Sequence, residues 1–475
     1  MIVLSRNIFL CLTSIFFTSA LLHSFLPLIS SFDAFRWFQA SVIILGFLLF
    51  IRQDLILFFT LSIITFLLVF SLEAVPYPII FIFFDLGYWV SVFCVAFYLV
   101  TAGVRNDELA KWTSLAASIG GILYLPTILM GLVFWYIQGG GRVTDFLPFG
   151  FYGIRPWSHI ASWFMPLIMG TLAMSSVLPL FRHRFWKNLL IITAAFWFAV
   201  LLGSGARGSL VAQLLSIMML FAFFGKKAFP IGRLWLITLG WGVGLYVLLI
   251  LFLPSFIFSA TEDYSVLRSG ASGRLELWGY ALELSTRYFP FGTGPLSYVS
   301  ETPVMGLGTP HSLYFRWAAE YGWLFVAVFL GGFLWAGRPL WLNFRKSSAE
   351  ATDSFRLAIF WSVLSAFTHA SVSGVFTSPY SLLVGLPILI VYLVYVLKAR
   401  FSADSFAVKL PKVRGIAAVF FGISVAMVPS MHDWYEGARI DQKRYMEEYH
   451  QSLSPRFWLH GRYIGEEFKG QEITP

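Results

Sequence analysis

Charge is what this sequence has least of. Only 12% of its 475 residues are Asp, Glu, Lys or Arg, about half the share of an ordinary soluble domain. That deficit excludes a cytosolic enzyme and a disordered scaffold alike. Cysteine is nearly absent too. Cys11 and Cys94 both lie in apolar segments, so neither a disulfide framework nor a cysteine metal cluster is available. Internal repeats, heptad arrays and low-complexity tracts are also missing. In their place stand 58% hydrophobic and 19% aromatic residues, with a mean hydropathy of +0.76. These describe an all-α polytopic membrane protein. The net charge of +9 does not require a nucleic-acid partner, because membrane proteins concentrate Lys and Arg in their cytoplasmic loops.

Apolar runs of about 20 residues number thirteen, near 8–29, 36–51, 54–72, 84–103, 113–136, 158–179, 187–203, 208–225, 234–257, 314–337, 355–373, 380–398 and 413–430. The second and seventh are short, so 12–13 transmembrane helices are expected. The first run is too long for a cleaved signal and reads as a retained anchor. With the N-terminus inside, the inner segments hold 19 of the 33 Lys and Arg, the bias expected of cytoplasmic loops. The division is then helices one to nine in 1–258, a large outer loop in 259–312, helices ten to thirteen in 313–430, and an outer tail in 431–475.

Lysine is missing from the outer side before the tail. The eight basic residues there are Arg36, Arg142, Arg155, Arg207, Arg268, Arg274, Arg287 and Arg316. A guanidinium offers a planar fork of donors suited to phosphate oxygens, whereas an ammonium is a point charge. Arginine also outnumbers lysine 23 to 10 over the whole chain, so composition alone could produce such a run.

Three outer segments could carry chemistry. Ser204-Gly205-Ala206-Arg207-Gly208-Ser209 joins two apolar runs. Its glycines permit a tight turn, and the helix that follows offers free amides to an anion. A glycine-rich turn with a snorkelling arginine explains the same residues. In Ser272-Gly273-Arg274-Leu275-Glu276-Leu277-Trp278, Ser272 or Gly273 can cap a helix that runs to about Arg287 and stops at Pro290. Leu275, Trp278 and Leu282 line one face of it, as in a helix lying flat on a bilayer. Arg274 falls in the first turn, where the macrodipole disfavours a cation, unless an anion sits there too.

In Gly306-Leu307-Gly308-Thr309-Pro310-His311-Ser312, Thr309 suits an N-cap and Pro310 the first helical position. His311 then falls in the first turn, as a neutral imidazole able to accept a hydroxyl proton; a capping or interfacial histidine is the plainer alternative. Arg316 and Glu320, spaced i, i+4, should neutralise each other. Glu320 is about 180° around the helix from His311 and is a poor partner for it. His369 could face the same cavity or serve as a hydrogen-bonded packing residue. Arg155, Trp157 and His159 open the sixth span and could line that cavity, as could Tyr314. Glu262 and Asp263 are adjacent and no Asp-x-Asp pair occurs outside, so no divalent-metal cage is expected.

Taken in order, Ala206-Arg207-Gly208, Ser272-Gly273-Arg274 with Trp278, Pro290-Phe291-Gly292-Thr293-Gly294, Pro310-His311-Ser312-Leu313-Tyr314 and Glu320-Tyr321-Gly322 resemble the O-antigen ligase and polymerase family of bacterial cell-envelope glycosyltransferases. The resemblance spans roughly residues 140–400. It implies transfer of a glycan from an undecaprenyl-diphosphate carrier to a glycan or lipid acceptor, at the periplasmic face of the inner membrane, without cofactor, nucleotide sugar or metal. Arg207 and Arg274 would hold the diphosphate and His311 would assist the acceptor. Departures are Ser312 where an Asn usually follows the histidine, His159 where an Asn is often found, and the thirteenth span and tail beyond a twelve-span plan. A transporter or flippase of lipid-linked oligosaccharide would also use outer arginines. It should, however, place ionisable groups near mid-membrane on several spans, and here they cluster at the outer ends.

Overall fold

In the computed structural model the described residues are 89–140 except 91, 143–147, 154–203, 205–258, 274–294, 298, 309–346, 353–401, and the isolated 415, 418, 419 and 422. The first three expected spans, most of the thirteenth, the tail 431–475, Arg36, Arg142, Arg268, the Ser272–Gly273 cap and most of the 259–312 loop lie outside them. Among the described residues the secondary structure is helical, in an all-α polytopic membrane protein. The helices are α1 (Val92–Thr101), α2 (Asn106–Leu123), α3 (Leu125–Ile137), α4 (Ile154–Ala173), α5 (Arg184–Gly203), α6 (Arg207–Phe224), α7 (Phe229–Tyr246), α8 (Arg274–Arg287), α9 (Leu313–Lys346), α10 (Asp353–Ala370) and α11 (Pro379–Arg400). A π-helical turn, Val247–Phe252, and a short helix, Leu253–Ile257, continue α7.

Five helical stretches among the described residues are long and apolar enough to cross a membrane: Asn106–Ile137, Arg184–Gly203, Arg207–Ile257, Leu313–Arg345 and Tyr380–Arg400. The sixth and eleventh expected spans fall on α4 and α10, and neither belongs to this set. Both are largely buried. Every side chain of α4 from Pro156 to Leu172 is buried, and so are most of α10. A helix shielded from lipid can carry Ser and His without meeting hydrocarbon.

The chain divides into two compact units. The first takes Gly103–Gly270 and Pro339–Tyr395 among others. Here α4 is the central post, with α2, α5, α6, α7 and α10 packed around it. Close approach depends on small residues, as is usual between membrane helices. A Cβ at Gly170 would meet Ala358 Cβ at 2.5 Å, and one at Gly385 would meet the Trp163 indole at 2.6 Å. The lipid-compatible faces are on α6 and α7, where Val211, Met218, Leu236 and Trp241 are exposed.

The second unit includes Ser31–Ala102 and Ala271–Arg338, and therefore α8 and most of α9. α8 buries Leu277, Ala281, Leu284 and Ser285 against Tyr298 and Ala319. Of the expected stripe, Leu275 and Leu282 remain exposed, whereas Trp278 packs against Phe315. After α8 the chain turns at Tyr288–Phe291 and inserts into a break in α9 at Gly322, whose φ of 83° and ψ of 164° are not helical. The break frees carbonyls that the turn takes up. Thr293 N–H donates to Ala319 O (2.8 Å) and Gly294 N–H to Glu320 O (2.9 Å). This is what Pro290-Phe291-Gly292-Thr293-Gly294 does: it clamps α8 to α9. A Cβ at Gly322 would collide with the Pro290 carbonyl. Gly322→Ala should therefore cost about 3 kcal/mol or more, from a glycine-only backbone region plus overpacking. A much lower melting temperature of the detergent-solubilised protein would be the readout.

Candidate active site

Of the two candidate phosphate ligands, Arg207 is the first residue of α6 and Arg274 the first described residue of α8. Gly205, at φ 63°, supplies the left-handed turn that leads into α6. Ala206 is the N-cap of α6 and makes no side-chain capping bond. Arginine at this position opposes the macrodipole, and it occurs twice. Anions are welcome at such a place, because the free amides of a helix N-terminus and a guanidinium both carry positive charge.

His311 is not where the sequence put it. Thr309 was expected as N-cap with Pro310 and His311 inside α9, but α9 begins at Leu313. Ser312 takes the cap, its Oγ accepting from Phe315 N–H at 3.4 Å. The Thr309 hydroxyl instead accepts from His311 N–H at 3.3 Å, a local turn of the kind Thr makes two residues on. His311 stands one residue before the cap with φ 52°, the one non-glycine residue at positive φ among those described. Such a backbone costs about 1–2 kcal/mol for a residue with a Cβ and persists where its surroundings impose it.

Those surroundings are visible. Trp278 Nε1 donates to Pro310 O at 2.9 Å, and its ring lies 5.4 Å from that of Phe315. Trp278 is one helical turn from Arg274, hence its neighbour on the helix surface. One side chain therefore ties the Arg274 end of α8 to the backbone that carries His311. The sequence signal for it was only its place after Ser272-Gly273-Arg274. Trp278→Phe keeps the ring and loses the hydrogen bond. Turnover should fall about tenfold, since small displacements of a reacting group are costly, with the amount of folded protein unchanged.

The remaining candidates separate. Tyr314, next to the α9 cap, is half-buried with its ring 6.3 Å from that of Trp317. Arg316 and Glu320 pair as expected, Nε to Oε2 at 2.8 Å, both buried. Arg155 lies in the first turn of α4. His159 and His369 belong to the first unit and are both buried, 5% and 2% exposed. His369 Nδ1 lies 2.8 Å from Ser162 Oγ, and His159 Nε2 lies 2.7 Å from Ser373 Oγ. Their rings meet edge to face at 5.3 Å. A polar seam continues down α6, where Trp235 Nε1 donates to Gln213 Oε1 (3.3 Å) and Trp361 Nε1 to Ser216 Oγ (2.8 Å). Ser209, Gln213 and Ser216, spaced i, i+4, i+7 in an apolar helix, were a readable sign of it. Among the described residues no three His, Cys, Asp or Glu gather as a metal set.

Residues 189–330 match the family model described as O-antigen ligase. The matched stretch contains Arg207, Arg274, His311 and Tyr314, and it is narrower than the 140–400 over which motifs were read. His159 and His369 fall outside it. No curated protein and no solved structure matches the chain.

Proposed function

The chain being a multi-pass membrane protein with an O-antigen ligase domain, we propose that it transfers a glycan from undecaprenyl diphosphate to an acceptor hydroxyl at the periplasmic face of the bacterial inner membrane. Work on lipid-linked glycan, as ligase or polymerase, comes with that domain. Arg207 and Arg274 hold the diphosphate. His311 takes the proton of the acceptor hydroxyl as its oxygen bonds to the anomeric carbon and the bond from that carbon to the phosphate oxygen breaks. Charge develops on the leaving diphosphate, where guanidinium forks stabilise it. Direct displacement inverts the anomeric centre.

The observation that carries this reading is the Trp278–Pro310 hydrogen bond. It couples a first-turn arginine to an imidazole held in a strained backbone. The test is the purified protein incubated with lipid-diphosphate glycan donor and candidate acceptors, product being followed by mass. Product should form at an undiminished rate in EDTA. EDTA-sensitive transfer would reopen a metal mechanism. Donor that is moved across a vesicle bilayer but never consumed would replace the enzyme with a transporter.

A further inference from the structure

The α6 N-terminus poses a question that the transfer chemistry leaves open: what holds Arg207 in place when its helix has no side-chain N-cap? The first turn of α6 rests on buried hydroxyls and one imidazole, all within the first unit. Ser209 Oγ donates to Ser158 O at 3.1 Å and lies 3.3 Å from Ser162 Oγ. Ser162 Oγ also bonds His369 Nδ1, and the His369 ring stands edge to face on His159, which is anchored to Ser373. Gly208, beside Arg207, lies directly against this imidazole. A Cβ there would come within 3.4 Å of His369 Nε2 and 3.1 Å of Val372 Cγ2. Three helices, α4, α6 and α10, thus meet at hydrogen bonds among Ser158, Ser162, Ser209 and His369, all buried, with the His159 ring packed on that of His369.

Polar groups in such an interior are expensive unless satisfied. A network of such bonds therefore has few good arrangements and rigidifies what it touches. An apolar Leu or Val contact would let α6 slide or rotate by a fraction of an ångström at little cost. The hydrogen-bonded chain does not allow it. What it fixes is the turn on which Arg207 is the first residue. Both imidazoles lie outside the stretch that matches the family model.

We propose that the buried His159–His369 couple, acting through Ser162 and Ser209, is a positioning device for Arg207, setting the guanidinium where it can bind a lipid diphosphate. This rests on the reading of Arg207 as a diphosphate ligand. The probe is glycan-free undecaprenyl diphosphate binding to the full-length protein in detergent. Arg207→Gln should weaken binding about tenfold, the scale of a lost charge-assisted hydrogen bond. His369→Leu and Ser162→Ala should each do nearly the same. His369→Asn, whose amide can replace Nδ1 toward Ser162, should restore most of the affinity.

The double variant Arg207→Gln/His369→Leu decides the matter. If His369 acts through Arg207, the double variant binds no more weakly than Arg207→Gln alone. Losses that multiply to about a hundredfold would mean independent action and would overturn the proposal. So would wild-type binding in both His369→Leu and Ser162→Ala. Should His369→Leu not fold, the small Ser162→Ala change supplies the same comparison. If Arg207→Gln itself binds like wild type, the ligand role of Arg207 has failed and the positioning role falls with it. That result is distinct from one in which only the His369 and Ser162 variants are silent.

Discussion

His311→Ala should bind undecaprenyl diphosphate as the wild type does and form almost no product. Removing a positioned general base typically costs about 10²–10⁴ in rate, and a diphosphate ligand set without a base can still hold its substrate. The position itself makes the test sharper. His311 sits at φ 52°, so a glycine there relieves backbone strain of about 1–2 kcal/mol. His311→Gly should consequently be as stable as the wild type or more so, yet equally inactive. Loss of transfer in a protein that melts no lower cannot be blamed on misfolding. Near-wild-type turnover in either variant would remove the imidazole from the mechanism.

Arg274→Lys is the second large effect. The charge is kept and the fork is lost, so a bidentate grip on phosphate oxygens becomes a single flexible contact. Loss of one fixed donor to a developing oxyanion costs about 10²–10³ in rate, and the same range is expected here. Arg287, at the other end of the same helix, provides the control. It pairs with Glu283 at 2.7 Å in the open, where an exposed ion pair contributes roughly 0–1 kcal/mol. Arg287→Lys should leave transfer and melting temperature nearly unchanged. If Arg274→Lys is as harmless as Arg287→Lys, recognition by a guanidinium fork is wrong, and only charge matters.

Much of this was open to reading along the chain. The ends of α8 at Arg274 and Arg287, the Arg316–Glu320 pair and the helix that begins at Arg207 follow from patterns within a few residues of each other. What escaped involved competition or distance. Thr309 and Ser312 are both fair N-caps; Ser312 won, and His311 moved out of the helix into a left-handed turn. Gly322 was read only as part of the Glu320-Tyr321-Gly322 motif, and its break has meaning only because the turn after α8 occupies it. For His369 a hydrogen-bonded packing role was open from the start, but its partner, Ser162, was not readable.

Sequence alone determined the solvent in which this protein folds, the helical class, and the presence of arginine at two helix starts. These depend on composition and on periodicities shorter than about one turn of helix. Tertiary structure alone decided that Trp278 reaches the carbonyl of Pro310, 32 residues away, and that Ser162 meets His369 across 207 residues. A hydrogen bond is directional and short, so its partner is chosen by where packing delivers the helices, and nothing in the local order of residues records that choice.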